Sequence, residues 1–271
     1  MTRRLVVTTT LLLLLTAGTV AAHDLFLRAD SYFVPPDGTV RMLVLNGTFS
    51  KSENAVTKDR LRDLSIAAFG RVTPLDTAVW IETGDTSVVT ARVGESGTYI
   101  FGASLSPREL RLDAKEFNAY LASDGIPDVL AARKKNGRLN RPARERYSKH
   151  VKALIQVGDT RSTGYSAELG YPAEIIPLDN PYNLKPGGTL RIRAVVDGRP
   201  IPNQLVMSGG RTAGGASIPA RSVRTDAEGV ARIRVRSPGV WYVKFIHMEP
   251  MEGSPTVDYE SKWATLTFGM R

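Results

Sequence analysis

The sequence predicts a mainly β protein: two immunoglobulin-like antiparallel β-sandwich domains with a helical insert between them. Three observations predict it. Short alternating runs fill both halves, among them "TVRMLVL", "SVVTARV" and "TYIFGAS" in the first and "TLRIRAVV", "ARIRVRS" and "WYVKFIHM" in the second. Such period-two runs, cut by Gly, Pro, Asn and Asp, are what half-buried strands require. The chain also repeats its plan. "PPDGTVRMLVLNG" (Pro35 to Gly47) matches "KPGGTLRIRAVVDG" (Lys185 to Gly198), and "VGESGTYIFGASLSP" (Val93 to Pro107) matches "VRSPGVWYVKFIHMEP" (Val235 to Pro250). The spacing differs between copies, which argues for shared architecture and against a short solenoid repeat. Between the halves the texture changes. "SPRELRLDAKEFNAYLASDGIPDVLAARKK" and "NRPARERYSKHVKALIQVG" have helical periodicity.

The elements follow in chain order. Arg3 and Arg4 precede an apolar run diluted by threonine that ends in "TVAA". This is the pattern of a secretory signal, with Val20 and Ala22 suited to the processing site. A membrane anchor is the competing reading, because the run is long enough to span a bilayer. Cleavage after Ala22 would make His23 the first residue, and the expected location is the periplasm. Residues 23–106 are read as the first sandwich and 158–271 as the second. Residues 107–157 are read as the helical insert. Ser106, Pro107 and Glu109 suit a helix start. Tyr147, Val151, Leu154 and Ile155 fall on one helical face, Pro142 suits the first turn, and Glu145 with Lys149 makes an i,i+4 pair. "VRTDAEGVARIRV" is a turn into a strand, with Gly229 free to take positive φ. "SGGRTAGGAS" (Ser208 to Ser217) opens no helix and reads as a mobile loop between strands.

Composition narrows the function classes. The chain has no cysteine, so thiolate metal sites, thiol catalysis and disulfides are excluded. The formal net charge is +9, and it is concentrated in one place: nine Lys and Arg residues lie between Arg133 and Lys152, against the single acid Glu145. Nucleic acid is not an expected partner, because only Tyr147 interleaves with these charges. A solvated helix face and a docking surface for anionic lipid, a membrane transporter or another periplasmic partner are the two readings of this stripe. The glycosylation triplet at Asn46 reads as a chance match. No G-x-S-x-G elbow, H-E-x-x-H pair or phosphate loop is present, which leaves no hydrolase reading.

The histidines carry the chemistry. A first-residue histidine presents a free α-amine and Nδ1 to one ion in a chelate ring. The amine has an ordinary pKa of about 7.7, so it is partly deprotonated near neutral pH. One more imidazole would complete a three-nitrogen set suited to Cu(II) or Ni(II), and His247 is the candidate. It shares a strand face with Trp241, Val243 and Phe245, at the rim of the sheet. Met248 and Met251 offer thioethers beside it, and Asp258 and Glu260 offer carboxylates as ligands or orienting groups. Plain structural readings stand beside these. His23 at the terminus is a coincidence of cleavage, His247 a hydrogen-bonded rim residue, and Met248 a core residue. His150 is read as a packing residue.

The segments "HDLFLRADSYFVPPDGTVRMLVLNG", "ERYSKHVKALIQVG", "AEIIPLDNPYNLKPGGTLRIRAVVDG", "VRTDAEGVARIRV", "GVWYVKFIHM" and "YESKWATLTF" together resemble a family of exported proteins of unknown function. That family is often labelled a periplasmic component of cobalt or nickel transport (NikM-like). The resemblance covers nearly the whole chain after residue 22. It implies a β-sandwich protein in the periplasm that binds a transition metal. The family's N-terminal histidine falls on His23, the histidine after its late tryptophan on His247, and the acid before its last tryptophan on Glu260. The position of His150 is often aromatic in the family, which argues against a metal role there. Three functions are therefore expected in order: a copper, nickel or cobalt binder for uptake or delivery; a structural or adhesion module without metal; and a histidine-brace copper oxidase.

Overall fold

The computed structural model describes residues 23–271; the expected signal segment, residues 1–22, lies outside them. The first half holds β1 (Asp24–Ala29), β2 (Phe33–Val34), β3 (Thr39–Gly47), β4 (Leu61–Ala68), β5 (Arg71–Pro74), β6 (Trp80–Thr83), β7 (Thr86–Arg92), β8 (Gly97–Leu105) and β9 (Arg108–Leu112). Two helices follow, α1 (Ala114–Ser123) and α2 (Pro127–Lys135), and then the long strand β10 (Ala143–Val157). The second half holds β11 (Ala173–Pro177), β12 (Gly188–Val196), β13 (Arg199–Pro200), β14 (Leu205–Thr212), β15 (Ser217–Arg224), β16 (Val230–Val235), β17 (Gly239–Pro250) and β18 (Tyr259–Met270). The protein is mainly β, as its alternating runs predict.

One ten-stranded sheet runs through both halves in the order β15-β14-β17-β18-β10-β8-β4-β5, with the short β2 and β9 also pairing to β10. Its seam is the parallel pairing of β10 with β18, in which Lys149 faces Trp263 and His150 faces Ala264. On either side of that seam the order of strands is repeated: β10-β8-β4-β5 on one flank, β18-β17-β14-β15 on the other. Because the two seam strands are parallel, the operation that exchanges the flanks is a rotation about an axis along the strands. Such a rotation also exchanges the two faces of the sheet. The smaller sheet of the first half, β1-β3-β7-β6, therefore covers one face, and that of the second half, built on β12 with β11, β13 and β16, covers the other. The repeated sequence segments fall at matching places: β3 and β12 are interior strands of the small sheets, and β8 and β17 both lie in the large one.

The cores follow the faces. Phe101, Ala103, Val151, Ala153 and Ile155 point to the first face and pack with Leu25, Leu27, Met42, Val44 and Trp80. Ile100, Leu154, Trp241, Val243, Phe245, Leu266 and Phe268 point to the second and pack with Ile175, Leu190, Ile192 and Ile233. β10 feeds both cores through alternate residues, as a strand buried on both faces must. A third core lies under the helices, where Phe117, Tyr120 and Leu121 meet Ile246, Met248, Tyr259 and Trp263.

This corrects the reading of residues 107–157 as a helical insert. Only α1 and α2 are helical there. Helix α1 starts at Asp113, whose carboxylate accepts from the Glu116 N–H at 2.7 Å while the Glu116 side chain accepts from the Asp113 N–H at 3.3 Å. This is a capping box. The segment after Pro107 is β9, and residues 143–157 are the seam strand. A strand covered on both faces loses its polar alternation, and Tyr147, Val151, Leu154 and Ile155 then mimic a helical stripe. Glu145 and Lys149 lie on one face of the strand and make no ion pair. The strand also belongs to the first sandwich, so the boundaries at 107 and 158 do not divide the sheets. "SGGRTAGGAS" is corrected in part: Ser208 to Thr212 end β14, and only the tip between β14 and β15 is a turn. Gly229 takes φ +72° in the turn before β16, as its residue type predicts. Asn46 of the glycosylation triplet lies within β3, with its amide oxygen accepting from Lys149 at 3.2 Å.

The basic stripe is dismantled by the fold. Arg133, Lys149 and Lys152 are buried. The Arg133 guanidinium donates to the carbonyls of Arg138 and Arg141, tying down the loop after α2. Arg144 pairs with Asp258 and Arg146 with Glu260. Lys134, Lys135, Arg138 and Arg141 remain exposed at the corner of α2.

The shared strand predicts a single cooperative transition. Trp80 lies in the first core and Trp241 in the second. Variants retaining only one of these two tryptophans should report the same denaturant midpoint, because losing β10 opens both cores. Two separate midpoints would mean that the halves unfold independently.

Candidate functional site

The N-terminal strand brings charged side chains to the first face of the seam. β1 lies across β10 and β18, held there by hydroxyls of the large sheet: Thr265 donates to the Leu25 carbonyl at 2.8 Å, and Thr267 donates to that of Leu27. This fixes where the strand begins. His23 Nε2 stands 2.5 Å from a Glu53 carboxylate oxygen, and the His23 carbonyl accepts from Lys149. Asp24 accepts from Lys244 at 2.6 Å through one oxygen; its other oxygen, buried, has no partner among the described residues. Asp124, capping the C-terminus of α1, lies on the other side of the same ammonium at 3.4 Å.

A cavity of about 300 Å³ opens beside these groups. It is lined by His23, Asp24, Glu53, Ser123 and Asp124, with Phe26, Phe49 and Tyr242 as an aromatic wall. The three rings pack on one another with centroids 4.9 to 5.2 Å apart, which keeps that wall rigid.

The electrostatics of the cluster are set by burial. Burial alone would lower the Lys244 pKa, but the carboxylates of Asp24 and Asp124 outweigh it and hold the ammonium above its ordinary value. Burial raises Asp124, against the opposing pull of Lys244. Burial pushes Lys149 down to about 8, with only partial compensation from Asp24. Deeper under α1, Glu145 is fully buried. One of its oxygens accepts from the Tyr120 hydroxyl at 3.1 Å and from Ser261, and the other has no partner among the described residues. Burial pushes its carboxyl up to about 7. Ser261 in turn accepts from the Trp263 indole at 2.9 Å.

The residues expected to ligate a metal do not all meet. His247 stands on the second face with Trp241, Val243 and Phe245, whereas His23 stands over the first. The sheet itself separates them, so they form no shared site. The reason is the alternation of β17: Tyr242, Lys244, Ile246 and Met248 take the first face and leave the odd residues to the second. Both nitrogens of His247 are engaged, Nδ1 with the Gln204 amide oxygen at 3.0 Å and Nε2 with Glu249 at 3.2 Å. Glu260 shares that face, but its carboxylate is held by Arg146 at 2.7 Å. Asp258 binds the Arg144 backbone N–H at 2.8 Å and its guanidinium; burial would raise its carboxyl, but these bonds hold it low. Met248 is buried in the third core and serves packing. His150 sits on β10, between the Ser104 hydroxyl at 2.9 Å and that of Ser148 at 3.0 Å. Burial drives it down to about 3, which keeps it neutral. Among the described residues no three His, Asp or Glu side chains converge as a ready metal cage.

Sequence reasoning missed Glu53, Asp124, Glu145, Lys149 and Lys244. A signal existed for the lysines: each interrupts a strand at an inward position, "YVKF" in β17 and "SKHV" in β10. A buried lysine needs a partner, and the search for one leads to Asp24.

A family described as a domain of unknown function, DUF4198, matches residues 20–249, and the chain belongs to it. No curated protein matches. Among solved structures, the chain is similar to one from Corynebacterium diphtheriae described as a membrane-anchored protein. The identity is 10%, with 92% of this chain and 59% of that chain covered, and the TM-score is 0.21. The chain spans about three fifths of that protein's length. Among the described residues no helix is long and apolar enough to cross a membrane.

Glu145 makes the stability pH-dependent in a definite direction. Its folded pKa of about 7 lies above the ordinary 4.5, so the folded state keeps a proton that the unfolded chain has lost. Stability from this group is present below about pH 4.5 and is lost as pH rises through 7. Glu145→Gln should remove that slope and be more stable than the parent at pH 8, by an amount on the order of a few kcal/mol. Denaturant titrations at pH 5 and pH 8 measure it.

Proposed function

We propose that the chain, processed after Ala22, is a periplasmic transition-metal-binding protein acting in uptake or delivery of copper, nickel or cobalt, and that His23 holds the ion. The observation that carries this reading is the occupied Nε2 of His23. Glu53 takes that nitrogen at 2.5 Å, so the nitrogen left is Nδ1. That is the one able to close a chelate ring with the α-amine of a first residue. Carboxylates on the far nitrogen of a ligating histidine are a common orienting device. The unpartnered Asp24 oxygen supplies a nearby oxygen donor. An amine, an imidazole and carboxylate oxygens suit Cu(II) or Ni(II). The resemblance to NikM-like proteins points the same way.

His23 would bind the ion, Glu53 would orient the imidazole, and the Lys244 ammonium between Asp24 and Asp124 would balance the charge of the pocket. The histidine-brace oxidase reading needs a second imidazole, and His247 faces away from this pocket. A partner or membrane contact would use the exposed corner of Lys134, Lys135, Arg138 and Arg141. The structural or adhesion reading draws on the exposed Phe69 and Val72, 48% and 47% accessible at the β4–β5 hairpin.

The test is metal binding by protein beginning at His23. Cu(II) or Ni(II) should bind at micromolar levels and be lost in His23→Ala or when one residue precedes His23. Glu53→Gln should weaken binding by about 10- to 100-fold, and His247→Ala should leave it unchanged. No binding by the parent, or equal binding by the His23→Ala protein, would favour the adhesion reading.

A further inference from the structure

Among the described residues three buried cations lack a carboxylate partner: Arg133, whose guanidinium is taken up by the Asn118 side chain and the Arg138 and Arg141 carbonyls, and Lys149 and Arg60, which both lie against one ring. Lys152 has Glu174 at 2.8 Å and Lys244 has Asp24 at 2.6 Å. Lys149 and Arg60 are as well buried, at 6% and 8% accessibility, and among the described residues neither has a carboxylate at ion-pair distance. Two of the three Lys149 N–H groups go to neutral acceptors, the His23 carbonyl and the Asn46 amide oxygen. Arg60 donates to the Ser106 carbonyl at 2.9 Å, and its Nε–H has no partner. Both stand against the Tyr147 ring, whose centroid is 5.4 Å from Lys149 Nζ and 5.7 Å from the Arg60 guanidinium carbon. Tyr147 is half-buried, so the pair is not sealed from solvent.

A buried charge with neither counterion nor full hydrogen bonding is costly. Placing two of the same sign side by side adds repulsion. The carboxylates further out relieve it only in part. Asp24 and Asp124 are engaged by Lys244, and Glu145 by Tyr120 and Ser261. We infer that Lys149, Arg60 and the Tyr147 hydroxyl edge form a binding site for a small oxyanion, a carboxylate or phosphate group. The spare Lys149 N–H and the unpartnered Arg60 Nε–H are its donors, and charge-assisted bonds of this kind are strong. The site adjoins His23 through the Lys149 bond to its carbonyl, yet it needs no metal and stands apart from the metal reading.

The experiment is calorimetric titration of the metal-free, exported protein with succinate and with inorganic phosphate. Saturable binding of either supports the site and names the anion; saturation by neither overturns it. Lys149→Met and Arg60→Met should each weaken the bound anion by at least about tenfold, while Lys149→Arg keeps the charge and retains binding. Folded Met variants that bind like the parent would overturn it. If those variants do not fold, the parent decides. Anion binding to the parent is also readable by Trp263 fluorescence, since that ring is 5.2 Å from Lys149 Nζ.

Discussion

The parallel pairing of β10 with β18 is the constraint on which the rest of the molecule depends. Two sandwiches joined edge to edge by antiparallel strands would share an axis normal to the sheet and keep their outer sheets on one face. Parallel seam strands impose the other symmetry, and the outer sheets land on opposite faces. From this follow the double burial of β10, the crossing of β1 over one side of the seam, and the crossing of β11 over the other. It also decides which functional residues can meet.

That decision explains why the fold was legible in the sequence while the site was legible only in part. Strand runs and their repetition report local burial, so β3, β8, β12 and β17 were visible in outline. The seam strand was not, because a strand covered on both faces has no period of two. His23 and His247 each carry a sound local argument. Their incompatibility lies in the relation between two faces of a sheet, and nothing near either residue encodes it. Glu53 lay in an unremarkable loop, and only the fold brings it to the His23 imidazole.

The first face of the seam concentrates buried charge to an unusual degree. Lys244 is held between two carboxylates, Glu145 by two hydroxyls, and Lys149 by neutral acceptors and rings. Core positions that could have been apolar at less cost are ionisable here, beside an N-terminal histidine and an acid-lined cavity. Perturbed titratable groups gathered around a cavity are a mark of function more than of stability, and the second face offers a contrast, where Lys152 and Glu174 satisfy each other.

The hydroxyls of Thr265 and Thr267 on the carbonyls of Leu25 and Leu27 join residues 240 positions apart. β1 is thus secured by β18. Closing so long a loop is slow, and contacts of this range come late in folding. Until β18 arrives, β10 stands as an open edge and β1 has no floor. A chain in which β18 has not docked would expose that edge to other chains, so protection of the β10 edge reports directly on whether the two halves have joined.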